Sequence, residues 1–240
     1  MKKCVILTLL LVFHLLPAQA VEIPPDFVAH YKLEKYSTTI GEIDLRLSTE
    51  NDKLNYSSHT KPRGIAALFR DDRISETSRL QVLSRNQLPR LLHYEYQHKG
   101  KENRNQHFDI DYTDDINASI NGNFSENIFS ISSKPPVWDR LSVQLALSCE
   151  LNSNPQQQKS YLYQVLDRGE LHEYTFEHKG DDRLKINDQQ YHVVKFVRHH
   201  GKRDTVFWLA QELHYLPVKM EQYKDGDLHL TMRLDSINYD

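Results

Sequence analysis

Once its first twenty residues are set aside, the chain holds a single cysteine, Cys149. No disulfide can form within it, so a framework of crosslinks is excluded and stability has to come from a buried core. Leu147, Ser148, Glu150 and Leu151 surround that thiol in sequence and bring no cation to lower its pKa, so it reads as structural rather than redox-active or nucleophilic. Excess charge is scarce as well. Thirty basic residues stand against 33 acidic ones, a formal charge of −3 that becomes −5 without Lys2 and Lys3, and no basic cluster marks a nucleic-acid surface. No serine sits in a strained glycine turn of the kind that exposes a nucleophile, and no segment repeats at a fixed period.

Long apolar runs are missing everywhere except near the amino end, where Lys2 and Lys3 precede an apolar stretch over residues 5–16 and then Pro17-Ala18-Gln19-Ala20. A spanning helix needs about 20 apolar residues. This stretch is shorter and is broken by His14 and Pro17, which argues against an anchor. The lysines, the apolar run and the small residues Ala18 and Ala20 together predict a cleavable secretory signal peptide over residues 1–20, cut after Ala20. The expected mature part, residues 21–240, is a single strand-rich domain with no transmembrane segment and, with Cys4 gone, no lipidated cysteine. About 220 residues suffice to bury roughly 70% of the unfolded surface without a staple.

What the chain has in plenty is alternation with period two, the mark of half-buried strands. Phe27, Ala29, Tyr31 and Leu33 alternate with Val28, His30, Lys32 and Glu34, and Ile43, Leu45 and Leu47 alternate with Asp44 and Arg46. Residues 37–41 between them read as a hairpin turn. Further runs follow at Leu54 and Tyr56, at residues 91–96, at Phe108, Ile110 and Tyr112, and through the second half to Leu228, Leu230, Met232 and Leu234. Asn121-Gly122, Arg168-Gly169 and Asp225-Gly226 read as hairpin turns, and Gly180-Asp181-Asp182 as the end of a strand. After Pro135-Pro136 the period changes. Trp138, Leu141, Leu145 and Cys149 share one helical stripe while Val143, Leu147 and Leu151 lie opposite, which predicts a buried helix over residues 138–151, with Asp139 at its positive end. Residues 152–158 read as a loop and a seam between two halves. About a dozen strands and one main helix give the expected fold class: mainly β, a single curved antiparallel sheet or half-open barrel with the helix packed in or on the concave face.

Several of these landmarks resemble, in order, a bacterial exported family known only as a domain of unknown function, number three-one-zero-eight. They are Tyr31 and Gly41, Leu88-Pro89 before Tyr94 and Tyr96, Asp139-Arg140-Leu141-Ser142, and above all Trp208-Leu209-Ala210 through Leu213-His214-Tyr215-Leu216-Pro217-Val218 to Lys224-Asp225-Gly226. The likeness spans residues 27–237. It implies a bacterial protein, hence export to the periplasm, and brings no catalytic residues with it. At the level of architecture, a curved sheet around a plugging helix is similar to the periplasmic lipoprotein carriers, which hold acyl chains in an apolar concavity; that analogy concerns the fold alone.

Constellations for chemistry are few. His199-His200 with Asp204 invites a metal reading, but adjacent residues of a strand point to opposite faces, and a solvated turn accounts for them; no metal and no cofactor are expected. Asp71-Asp72, Asp114-Asp115 and Asp181-Asp182 all flank turn residues. Asn55, Asn117 and Asn123 head Asn-X-Ser sequences that matter only in a glycosylating pathway. The strand tyrosines are the most suggestive feature, since they suit a groove greasy at one end and wet at the other. The expected ligand-facing residues are Tyr31, Tyr94, Tyr96 and Tyr163 on strands, Trp138, Leu141 and Leu145 on the helix, and Trp208. The leading expectation is a non-catalytic protein whose concavity takes an apolar or amphipathic ligand, such as a lipid or lipoprotein-like molecule, or an envelope protein. A structural module of envelope assembly is the alternative, and a hydrolase built on Ser142 or His214 a second one.

Overall fold

The computed structural model describes residues 20–64, 67, 72–100, 104–154 and 158–240. The expected signal peptide falls outside them except for Ala20, as do Asp71 and Pro155. Alternation becomes strand wherever one face can be buried. Along β1 (Phe27–Lys35), for example, Phe27, Ala29 and Tyr31 are buried and Val28 and His30 partly exposed. The chain continues through β2 (Thr38–Glu50), β3 (Lys53–Pro62), β4 (Arg73–Gln81), β5 (Arg90–Lys99), β6 (Arg104–Tyr112), β7 (Ala118–Phe124) and β8 (Asn127–Ser133). A two-residue β9 (Val137–Trp138) leads to the helix α1 (Ser142–Ser153). The second half comprises β10 (Ser160–Asp167), β11 (Glu170–Ile186), β12 (Gln189–His200), β13 (Arg203–Ala210), a 3-10 turn (Gln211–Leu213), β14 (Leu216–Lys224) and β15 (Asp227–Tyr239).

All fifteen strands of the described residues form one sheet, in which sequence neighbours other than β8 and β9 pair and β1 also pairs with β15. The two ends of the chain therefore meet in the middle of the sheet, and its edges are β8 and β9, only Lys134-Pro135-Pro136 apart in sequence. Every pair is antiparallel except β9 with β10. The sheet curls into a barrel closed but for the seam between its edges, as full curling has to do when the last strands are consecutive in the chain. The Ser133 hydroxyl spans the seam, donating to Gln164 Oε1 at 2.8 Å.

The helix fills one half of the interior. Val143, Leu145, Ala146, Leu147, Ser148, Cys149 and Leu151 are all buried and together run round the whole helix, an arrangement that only enclosure on every side tolerates. Each large side chain so buried contributes about 2 kcal/mol. The carboxyl end is tied to the β13–β14 connection, where Ser148 Oγ donates to the Tyr215 carbonyl and Asn152 Nδ2 to that of His214. Burial pushes the Cys149 thiol up to about 12, consistent with a structural role.

Four boundaries depart from expectation. The helix starts at Ser142 rather than residue 138, because Val137 and Trp138 are held in register with Gln164 and Val165 of β10. The first hairpin turns at Tyr36 and Ser37, both with positive φ, so residues 38–41 already belong to β2. Asn121-Gly122 is not a turn. Both residues lie within β7, and the chain reverses only at Ser125 and Glu126. Gly122 stands opposite Phe108, where a Cβ would lie 2.6 Å from the Phe108 Cβ and closer still to the His107 carbonyl; the glycine is there for close approach. Residues 180–182 likewise continue β11 through a bulge, the turn coming at Asn187-Asp188. Arg168-Gly169 and Asp225-Gly226 turn as expected, with positive φ at both residues of each pair.

Replacing Gly122 with alanine forces a methyl group into the β6 backbone. Urea unfolding of Gly122→Ala is expected to show a loss of at least about 2 kcal/mol, against near neutrality for alanine at the turn residue Glu126.

Candidate functional site

The antiparallel meanders β1–β8 and β10–β15 place alternate connections at opposite rims. The turns β1–β2, β3–β4, β10–β11, β12–β13 and β14–β15 therefore share one rim, while the helix runs down toward the other. Between that first rim and the start of the helix lies an open cavity of about 900 Å³, with Leu141 and Gln144 from the start of the helical segment at its floor. One part of the wall is greasy: Ile43, Leu45, Phe207, Met220 and Met232. Another is ionic, formed by Glu76, Arg140, Asp167, His172, Arg198 and His200.

The floor is fixed by Asp139, which is fully buried. Its Oδ1 accepts the amides of Leu141 at 2.7 Å and Ser142 at 2.8 Å, its Oδ2 accepts the Ser142 hydroxyl at 2.8 Å, and its own amide donates back to Ser142 Oγ at 3.1 Å. This reciprocal cap satisfies amides at the helix start that have no partner within the helix. Burial raises the Asp139 pKa to about 6, against the opposing pull of the Ser142 amide. Ser142 Oγ, wholly buried and engaged in this cap, is placed as a structural group; His214 lies in the β13–β14 connection, with its ring 5.9 Å from that of Tyr239.

Next to the cap, Arg140 reaches into the cavity over the Tyr96 ring, 4.7 Å from its centroid. Its Nη2 lies 3.2 Å from Glu76 Oε2, and its Nε 3.6 Å from Asp167 Oδ1, a charge contact too long for a hydrogen bond. Burial works against this charge, yet Glu76, Tyr94 and Asp167 together outweigh it and hold the pKa above the ordinary value. Arg198 stacks on Tyr174, 4.4 Å from the ring centroid. Burial pulls its pKa below the ordinary value, with Arg140 adding repulsion and Tyr174 and Asp167 offsetting part of it. The His200 ring meets that of His172 at 5.7 Å, and burial, Arg198 and His172 lower its pKa.

Of the residues singled out in the sequence, Tyr31, Tyr96 and Leu141 line this cavity. Tyr94 is buried behind it, its hydroxyl donating to Glu76 Oε2 at 2.8 Å. Leu145 is buried one turn further along the helix. Trp138 and Tyr163 stack edge to face at 6.5 Å and line a separate depression of about 410 Å³ beside the seam. Trp208 alternates with the cavity-lining Phe207 and so faces the other side of β13, where Lys195 and Lys219 flank its ring at 5.3 and 4.5 Å. His199 pairs with Asp204 at 2.7 Å while His200 meets His172, so the two neighbours go separate ways. Among the described residues no three His, Cys, Asp or Glu side chains are gathered as metal ligands. Sequence reasoning missed Arg140, Asp167 and Arg198. Arg198 carried a signal, since it continues the buried phase of Val194 and Phe196, and an arginine in that phase is out of place in an ordinary core.

A profile of the family described as "Protein of unknown function (DUF3108)" matches residues 26–235, and the chain belongs to that family. No curated protein matches it.

Asp139 makes a pH prediction. A carboxyl whose folded pKa is about 6, against 3.8 when unfolded, contributes stability that is fully present below 3.8 and lost as pH rises through 6, at most about 3 kcal/mol in all. Asp139→Asn keeps the amide acceptor and removes the titration. Denaturant midpoints of the two proteins measured from pH 3.5 to 7.5 are expected to diverge in that window, the parent losing stability relative to the variant.

Proposed function

We propose that this DUF3108 protein is exported to the periplasm and holds an amphipathic ligand in the barrel cavity, as a binding protein rather than an enzyme. The observation that carries the reading is the cavity itself. It is open to solvent, falls at about 900 Å³ within the rough 300–1,000 Å³ span of ligand sites, and sets a greasy wall against an ionic one. A core needing only stability would close such a space, because each void forfeits packing contacts. The helix supports the same reading: by occupying one half of the barrel and stopping at the Asp139 cap, it leaves the other half open with a rigid floor. Export rests on the amino-terminal pattern of Lys2, Lys3, the apolar run and Ala18-Gln19-Ala20.

The protein, gently purified from a native periplasm and examined by native mass spectrometry, is expected to carry extra mass that organic extraction removes and identifies. Ser58→Trp, which projects an indole into the cavity from β3, is expected to abolish that mass while leaving the thermal midpoint within a few degrees. A protein that comes out free of ligand and also ignores added amphiphiles would sink the reading and favour a module for envelope assembly.

A further inference from the structure

Arg198 sits where packing alone gives no reason for a cation. It lies on the inward face of β12 in phase with Val194 and Phe196, both wholly buried. Its Nη2 is 3.4 Å from Thr205 Oγ1, a weak contact, and its Nε is buried without a hydrogen-bond partner. Among the described residues no carboxylate comes within ion-pair distance of it, and Asp167 attracts it only from farther off. Arg140 differs, with Glu76 and Asp167 both drawn to it. A half-buried guanidinium with no acid hydrogen-bonded to it leaves most of its donor fork open to the cavity, and that planar fork matches a carboxylate or phosphate held by two hydrogen bonds. From the strands that follow β12 in the sheet, Phe207, Met220 and Met232 present an apolar surface to the same cavity.

We propose that Arg198 is the head-group anchor of the cavity, binding the carboxylate or phosphate of an amphiphile whose tail lies along Phe207, Met220 and Met232. This rests on the ligand-binding reading above and names the chemical class of the ligand. The Tyr174 ring under the guanidinium holds the fork in place, so less freedom is lost when the anion arrives. An anionic head also relieves the repulsion between Arg198 and Arg140.

The test uses delipidated protein and four probes below their micellar range: decanoate, decyl phosphate, decanol and inorganic phosphate. Calorimetric titration is expected to show both charged amphiphiles binding at least about tenfold tighter than decanol. Arg198→Met is expected to erase that preference while leaving decanol binding unchanged, and Arg198→Lys to keep part of it. Without ligand, Arg198→Met is expected to melt no lower than the parent, because it puts an apolar chain in place of a half-buried charge that has no close ion pair; a merely structural arginine would give a lower midpoint. Equal binding of decanoate and decanol, or a preference that survives in Arg198→Met, would overturn the head-group assignment while the ligand-binding reading stands. Inorganic phosphate binding as tightly as decyl phosphate would assign the site to a small free anion and overturn the tail. Failure of every probe to bind would remove both readings together.

Discussion

A helix with buried side chains on every side cannot rest on a surface, and that constraint organises the molecule. α1 has buried residues all the way round, so the sheet has to wrap it, and a sheet of fifteen strands has the length to do so. The pairing of β1 with β15 lets the sheet wrap outward from its middle, where the two ends of the chain meet, and this brings the two edges together on either side of the short stretch that leads into the helix. Closure and plugging are thus one event: the residues that leave the seam are the ones that enter the barrel.

The length of the helix then sets the open space. Twelve residues reach about 18 Å, less than the span of the longest strands, and the Asp139 cap ends the helix sharply at a buried point. Above the cap, side chains that would have met the helix meet solvent or one another instead. That accounts for the concentration of arginines, histidines and carboxylates there, whereas the lower half is filled by Leu145, Leu147, Leu151 and the aromatic residues around them. The charges are unequally matched. Arg140 has two acidic partners within ion-pair reach, whereas Arg198 has a ring, a distant hydroxyl and only the longer-range attraction of Asp167, and this imbalance gives the cavity its chemical direction.

Local pattern served well where one face of the chain meets a core and the other meets water, and poorly where a residue answers to a neighbour distant in sequence. Phe27, Ala29 and Tyr31 on β1 announced their burial through alternation alone. Asp225-Gly226 announced its turn because positive φ is a property of the residues themselves. Asn121-Gly122 carried the same turn signal and lies in a strand, because the glycine answers to the Phe108 backbone rather than to its own preferences. Trp138 follows a helical stripe and belongs to a strand, since β10 supplies a ladder. The candidate site was half legible: Tyr31, Tyr96 and Leu141 could be found from apolar phase, but Arg140, Asp167 and Arg198 come from three separate segments that only the closed barrel gathers.

By itself, then, the order of residues determined the strands, most of their turns, the buried helix and the need for a core without crosslinks, because each follows from the spacing of apolar side chains or the freedom of single backbones. Only the tertiary structure decided that the sheet closes from its middle, that the helix stops halfway, and which charges face one another across the remaining space. Those outcomes depend on through-space pairing, where solvation and Coulomb energies are set by distance rather than by position along the chain.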